Sequence, residues 1–280
     1  MAIHIGNNVT SLNAQRALAT SQRNAESTLG RLSTGKKLTF AADDAAGMAV
    51  SERLQARLRS LSQAERNASD GSSMLQTAES GLGSIGESLG RMRELAIQAA
   101  NGTLNSTERG NVQEEFSQLR SEIDRVAQTT EFNGKHLLNG SAQSVALQIG
   151  SGSSSGDTVN VELENVGSAA LGTGASTTLA GTDVSSVGGA QNALAVIDQA
   201  IGDVSSHRSS IGTLQNRLDA TRSNLGSARE NLAAADSRIR DADLANETAL
   251  LTRDKLLMQA GVAVLAQGNT SAKVALSLLG

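Results

Sequence analysis

Residues 64–99 read AERNASDGSSMLQTAESGLGSIGESLGRMRELAIQA and carry an apolar residue or glycine at alternating steps of three and four. The stripe consists of Ala64, Ala68, Gly71, Leu75, Ala78, Leu82, Ile85, Leu89, Met92, Ala96 and Ala99. Charged and polar residues lie between these positions, so the pattern predicts a continuous helix with one buried seam. The chain contains no proline, and a helix from Ala45 to Ala99 would be about 80 Å long. Helices of that length typically pack along other helices.

The same spacing recurs on both sides of this stretch. Residues 6–34 predict a first helix that ends near Gly35, and Asn105 with Glu108 predicts a capping box at the start of another. A second long stripe runs from Leu194 to Ile239. We therefore predict a mainly α fold, with long antiparallel coiled-coil-like helical rods formed by the N- and C-terminal segments. The predicted seam within the chain comprises Leu75, Leu82, Ile85, Leu89, Ile211, Leu218, Leu225 and Leu232.

The middle of the chain changes character. Period-two alternation in residues 143–149 and 157–163, separated by a run of glycine and serine, predicts a small β-hairpin. Residues 167–189 are rich in glycine, serine and threonine. We expect them to form an extended surface connection with little to bury, and we expect no inserted domain.

The last segment is apolar on more than one side. Its main stripe includes Leu251, Met258, Val262, Leu265, Leu276 and Leu279, while Leu257, Ala260, Ala263 and Val264 lie outside it. A helix that is apolar nearly all round must be covered on several sides, and the residues of the stripe are therefore predicted to pack between subunits. We expect Leu265→Asp to leave a folded subunit that does not polymerise, because it would place a charge in a buried core.

Composition excludes several classes of function. The net charge is -4 and aromatic residues make up 1% of the chain, which offers neither a basic patch nor aromatic stacking for nucleic acid. Cysteine is absent, the three histidines are isolated, and no apolar run is long enough to insert into a membrane. We expect no cofactor and no metal site. The first residues, MAIHI, lack the features of a secretory signal, so we expect export without a cleaved signal peptide.

Several motifs, in one order along the chain, resemble bacterial flagellin. They are LSTGKK at 32–37, AADDAAGMAVSERL at 41–54, the stretch 63–79, EEF at 114–116, EIDR at 122–125, FNG at 132–134, SRIRDAD at 237–243 and the stretch 259–267. The resemblance covers residues 1–140 and 190–280. It implies a structural subunit, not an enzyme, that polymerises into the hollow helical filament of the bacterial flagellum for motility.

The resemblance also implies a division of the chain and a set of partners. The expected segments are a filament-core helix and linker at 1–40, the first part of the rod at 41–140, the hairpin and connection at 141–189, a long rod helix at 190–240 and a second filament-core helix at 241–280. The subunit would be exported through a type III apparatus and reside in the extracellular filament. Its partners would be copies of itself, paralogous flagellins, an export chaperone at the C-terminal helix, and filament cap and hook-junction proteins.

One further partner is implied by the segment LGRMRELAIQ at 89–98. It resembles the flagellin segment that animal Toll-like receptor five recognises. The resemblance implies receptor contacts at Arg91 and Leu95 in this segment and at Glu115 on the following helix. The alternative is that the same residues make packing contacts and salt bridges within the filament. The sequence leaves both interpretations open.

Three other classes of protein fit less of the sequence. A hook–filament junction protein would share the terminal helices but depart from the pattern at 259–267, and a secretion-system translocator would need an apolar hairpin for membrane insertion. An enzyme would need a group of catalytic side chains. Asp43 and Asp44 form a carboxylate pair, but they begin the long helix, where acidic residues complement the helix dipole.

Overall fold

The computed structural model describes residues 9–141, 144–174 and 177–277, with the side chains of the last helix described as far as Thr270. Most of the described residues lie in five α-helices, which confirms the mainly α class. The helices are α1 (Val9–Thr34), α2 (Ala45–Ala99), α3 (Ser106–Thr129), α4 (Val187–Arg240) and α5 (Leu244–Ser277). The strands are β1 (Glu131–Phe132), β2 (Lys135–His136), β3 (Ser144–Gln148) and β4 (Thr158–Glu162).

The chain forms two compact units. The central unit comprises Arg59–Arg229, and the terminal unit comprises Met1–Leu58 together with Glu230–Gly280. The central unit holds α3, both hairpins and the adjoining lengths of α2 and α4. The terminal unit holds α1, α5 and the remaining turns of α2 and α4.

In the central unit, α2 and α4 run antiparallel. Arg93 Nε donates a hydrogen bond to Asp198 at 2.7 Å near one end of the pair, and Arg229 forms an ion pair with Glu65 near the other. Along the pair, residue numbers therefore rise on α4 as they fall on α2, so the two helices are antiparallel. The helix α3 also runs antiparallel to α2: Arg109 Nε donates to the Ala99 carbonyl at 3.0 Å, and farther along α3 Glu115 pairs with Arg91.

The predicted seam residues lie inside these units. Those of the central unit are all buried: Leu75, Leu82, Ile85, Leu89, Ile211, Leu218 and Leu225. Leu232 belongs to the terminal unit and is half-buried. Small residues keep the helices close: a Cβ added at Gly71 would lie 2.5 Å from the Leu147 side chain and 3.4 Å from that of Leu218. Glycine at this position lets both leucines approach the α2 backbone.

The helix α3 begins at the predicted capping box. The Asn105 side chain accepts a hydrogen bond from the Glu108 backbone N–H at 2.8 Å, and the Glu108 carboxylate accepts one from the Asn105 N–H at 2.9 Å. Two backbone donors at the start of the helix are thereby satisfied.

Two hairpins follow α3. The strands β1 and β2 are joined by Asn133 and Gly134, whose φ angles are 49° and 75°, as a tight turn of this kind requires. The strands β3 and β4 pair antiparallel from Ser144 opposite Glu162 to Gln148 opposite Thr158, which confirms the predicted hairpin. The inner side of β4 is formed by Val159 and Val161, which are buried in the core.

The connection from β4 to α4 does not lie on the surface as expected. Leu171, Leu179 and Val184 are buried in the same hydrophobic core as the helices. Side chains of α3 hold its backbone in place: Asp124 accepts from the Ser168 N–H at 2.7 Å, and Arg120 donates to the Ala180 carbonyl at 2.9 Å. The prediction of a surface segment with little to bury was therefore wrong for residues 167–174 and 177–184. A few irregularly spaced apolar side chains are sufficient to anchor this connection in the core.

In the terminal unit, the two carboxylates at the start of α2 have structural roles. Asp44 accepts a hydrogen bond from the Gly47 N–H at 2.9 Å, which caps the first turn of the helix. Asp43 accepts from the backbone N–H groups of Thr39 and Phe40 in the preceding loop. Gly35 ends α1 with φ at 67°, the left-handed conformation that glycine adopts readily at a helix C-terminus.

Candidate functional site

The helices α1 and α5 pack against each other within the terminal unit. Gly261 lies against Leu18, since a Cβ added there would be 3.4 Å from the leucine Cδ1. Near the far end of the pair, the Ser11 hydroxyl donates to the Asn269 side-chain oxygen at 3.5 Å. The covered positions of α5 recur at alternating steps of three and four residues and form the side that contacts α1: Glu247, Leu251, Asp254, Met258, Gly261 and Leu265.

This paired side carries two buried carboxylates. Glu247 and Asp254 are 5% and 2% exposed, and they lie one heptad apart. Arg31 of α1 approaches Glu247 at 3.8 Å, and Arg253 donates to Asp254 at 3.1 and 3.2 Å. Sequence reasoning did not find these residues, because acidic side chains on an amphipathic helix are expected to point toward water.

The opposite side of α5 is apolar and exposed. Residues 256–272 contain no charged residue. Within this run Leu256, Leu257 and Val264 are 60%, 50% and 54% exposed, and the alanines at 260 and 263 are exposed beside them. These five positions are separated by steps of one, three and four residues, so they share one broad surface of the helix. We call this surface, residues 256, 257, 260, 263 and 264, the outer face of α5.

The residues predicted to pack between subunits fall into three groups. Leu251, Met258 and Leu265 are half-buried on the side that contacts α1. Val262 is 57% exposed at the edge of that side. Leu276 lies in α5 with its side chain outside the described residues, and Leu279 lies outside them altogether. The sequence prediction did not name Leu256, although the apolar character of the helix all round was its signal.

A second exposed cluster lies in the central unit, where α2 meets α3. Arg91 donates to Glu115 of α3 at 2.8 and 3.0 Å and to Glu94 of its own helix at 2.9 Å. These hydrogen bonds, that to Glu115 first, raise the pKa of Arg91 above its usual value. The side chains of Arg91 and Glu115 are half exposed, at 50% and 46%. Leu95, by contrast, is 1% exposed and packs in the core beneath this cluster.

The described part of the chain offers little for other chemistry. Among those residues, no group of three or more histidine, aspartate or glutamate side chains is placed to hold a metal ion. Within the same ranges, no helix is long and apolar enough to cross a membrane. The features that stand out are therefore two surfaces, the outer face of α5 and the Arg91–Glu115 cluster.

Comparison with known proteins matches both ends of the chain. Residues 5–143 match the bacterial flagellin N-terminal helical region, and residues 194–279 match the bacterial flagellin C-terminal helical region. The unmatched part between them contains the β3–β4 hairpin and the buried connection.

Individual relatives agree over nearly the full length. The chain is 41% identical to a flagellin of Halalkalibacterium halodurans, over 98% of this chain and 99% of the relative. It is 38% identical to the flagellar filament core protein flaB2 of Brachyspira hyodysenteriae, again over 98% and 99%. The crystal structure of Bacillus cereus flagellin aligns with a TM-score of 0.50 and 36% identity, covering 61% of this chain and 94% of that one. The chain belongs to the bacterial flagellin family.

Proposed function

We propose that this chain is the structural subunit of a flagellar filament and that neighbouring subunits pack on the outer face of α5. Membership of the flagellin family supports a subunit that polymerises with copies of itself. The observation that carries the finer proposal is the exposure of Leu256, Leu257 and Val264 in a run without charge. Apolar surface of this kind on a monomer marks an association site.

The size of the effect follows from the exposed fractions. Burying a leucine or valine side chain fully is worth about 1.5–3 kcal/mol, so a side chain that is half exposed in the monomer has about 1 kcal/mol left to gain. Leu256, Leu257 and Val264 together would then contribute about 3 kcal/mol to each contact between subunits. A contact that joins different surfaces of identical subunits and does not close into a ring generates a helical filament.

The proposal is tested with Val264→Asp. A carboxylate in the buried contact would cost several kcal/mol, so the critical concentration for polymerisation should rise by about a hundredfold or more. Leu244→Asp is the matched control, because Leu244 is 55% exposed on the same helix but lies before the uncharged run. Sedimentation and electron microscopy of both variants measure the outcome. Polymerisation of Val264→Asp at the native concentration would overturn the proposal.

Val264 is a sharper test than Leu265. Leu265 is half-buried on the side of α5 that contacts α1, so a charge at that position would also disturb the subunit itself. Val264 is 54% exposed, and its replacement should leave the pairing of α1 with α5 intact. Circular dichroism of the monomer provides the check.

The outer face of α5 is also the surface on which we expect an export chaperone to bind. An exposed apolar run on an unassembled subunit favours premature association, and a protein that covers α5 before secretion would prevent it. The outer face of α5 should therefore bind the chaperone, and Val264→Asp should weaken that binding while Leu244→Asp does not. Titration of the purified chaperone with each variant distinguishes the two. Cap and hook-junction proteins are expected to meet the same terminal unit at the filament ends.

We propose, as a second function, recognition of the central unit by animal Toll-like receptor five. The exposed Arg91–Glu115 cluster supports it, because arginine is enriched among residues that dominate binding energy. The side chain of Leu95 is buried, so in this proposal it does not touch the receptor but packs in the core and holds α2 in position.

Replacing Arg91 tests this second function. Arg91→Ala should lower receptor activation about tenfold or more in reporter cells. Arg222→Ala is the control, because Arg222 is 43% exposed on α4 and pairs with Asp219 in its own helix. Equal activation by both variants would mean that the cluster serves packing alone.

A further inference from the structure

The three phenylalanines of the chain have very different environments. Phe116 is fully buried in the core of the central unit, and Phe132 is half-buried against the same core. Phe40, in the loop between α1 and α2, is 71% exposed. Aromatic side chains carry a large apolar area, and this one lies open to solvent in a chain that has almost no other aromatic residue.

The loop that carries Phe40 is held in a defined conformation. The Asp43 carboxylate accepts hydrogen bonds from the Phe40 N–H at 3.1 Å and from the Thr39 N–H at 3.2 Å, while the Asp43 N–H donates to the Phe40 carbonyl at 3.0 Å. Upstream, the Lys37 N–H donates to the Arg240 carbonyl at 2.7 Å. The ring therefore extends from a loop whose backbone is fixed on both sides.

The neighbouring side chains separate an inner from an outer surface of the loop. Leu38 is 5% exposed and lies against the first turn of α2, where a Cβ added at Gly47 would be 3.1 Å from its Cδ1. On the outer side, exposed alanines stand next to Phe40 at positions 41, 42, 45 and 46. Small side chains around a protruding ring allow another chain to approach the loop backbone closely.

We propose that Phe40 is an anchor residue that packs into the surface of a neighbouring copy of this chain in the filament. The proposal deepens the proposed function and rests on it. A second copy is the occupant that fits best, because the family polymerises with itself and Phe40 belongs to the same terminal unit as the outer face of α5. Phenylalanine, like the other aromatic residues, buries a large apolar area and is enriched in the cores of protein contacts, and a fixed loop loses little entropy on binding.

The absence of cysteine from the chain allows a direct test of burial. Phe40→Cys introduces a single thiol, and so does the control Ser153→Cys in the exposed loop of the β3–β4 hairpin. Each variant is assembled with an excess of native chain, and its reaction rate with a maleimide is compared between monomer and filament. The thiol at position 40 should react about tenfold or more slowly in the filament, whereas that at position 153 should keep its rate. Equal protection factors at the two positions would overturn the proposal.

A second set of variants measures the energetic role. Phe40→Ala should raise the critical concentration about tenfold or more, and Phe40→Leu should restore most of the loss because it returns apolar volume. Unchanged polymerisation of Phe40→Ala would contradict the anchor role while leaving the flagellar subunit assignment intact. Failure of the native chain itself to polymerise would instead refute the proposed function. Protection at position 40 by an added foreign protein, without protection in the filament, would identify a different occupant and refute the proposal.

Discussion

Leucine-to-alanine substitutions at two positions should separate folding from assembly. Leu82 is fully buried in the core of the central unit, and Leu257 is 50% exposed on the outer face of α5. The two substitutions delete the same atoms from a helix, so their chemistry is matched. We expect Leu82→Ala to affect the free energy of unfolding and Leu257→Ala to affect polymerisation.

The expected magnitudes follow from burial. Deleting a fully buried leucine side chain to alanine costs about 3–4 kcal/mol, because lost transfer energy and a residual cavity add. For a unit of this size, that loss lowers Tm by about 6–16 °C. At Leu257, half of the side chain is already in water in the monomer, so the cost to folding should stay below about 1 kcal/mol. The exposed half is what assembly can bury, so its loss in Leu257→Ala should raise the critical concentration about fivefold.

The assay has two arms. Urea unfolding of each monomer, followed by circular dichroism, gives the change in unfolding free energy, and sedimentation of polymerised samples gives the critical concentration. Equal destabilisation of the monomer by the two variants would refute the reasoning. So would a Leu82→Ala chain whose unfolding free energy lies within about 1 kcal/mol of the native value.

Three smaller predictions concern local structure. Asn105→Ala should cost about 1 kcal/mol of stability in urea unfolding, because the cap of α3 is lost, whereas Asn105→Asp should cost little. Gly134→Ala should cost about 1–2 kcal/mol by the same measurement, since alanine is strained at a φ of 75°. The pKa of Asp43 lies below its ordinary 3.8, chiefly because the Phe40 N–H donates to the charged carboxylate. That contribution is full above pH 3.8 and is lost as the pH falls through the lower pKa of the folded chain. The protection factor of the Phe40 amide against hydrogen exchange should therefore fall only below pH 3.8, and in Asp43→Ala, which has no side-chain acceptor, it should be low already at neutral pH.

The helices were predictable because their signal is local and repeated. The stripe of α2 returns every three or four residues from Ala64 to Ala99, and the capping box of Asn105 and Glu108 marks the start of α3 within four residues. The β3–β4 hairpin likewise follows from alternation within each strand.

The connection before α4 could not be predicted in this way. Its buried residues Leu171, Leu179 and Val184 follow neither helical nor strand spacing. Asp124 and Arg120 of α3, which are distant in sequence, hold this connection in place through hydrogen bonds to its backbone. Long-range hydrogen bonds of this kind leave no periodic trace in the sequence.

The two candidate surfaces were predictable only in part. The sequence showed that α5 is apolar nearly all round, but it could not show which side contacts α1. Hydropathy is misleading here, because the paired side contains the buried carboxylates Glu247 and Asp254 while the outer face of α5 contains no charge. For the second surface, the resemblance named Arg91, Leu95 and Glu115 as receptor contacts. The structure pairs Arg91 with Glu115 at the surface, but only packing reveals that Leu95 is buried.

A density map of the native filament by electron cryomicroscopy would show directly whether the outer face of α5 is a contact between subunits. We predict that neighbouring subunits cover this face, with Leu256, Leu257 and Val264 as buried there as Leu82 is within the subunit. A filament in which these three side chains face solvent, with subunits joined through other surfaces, would contradict it.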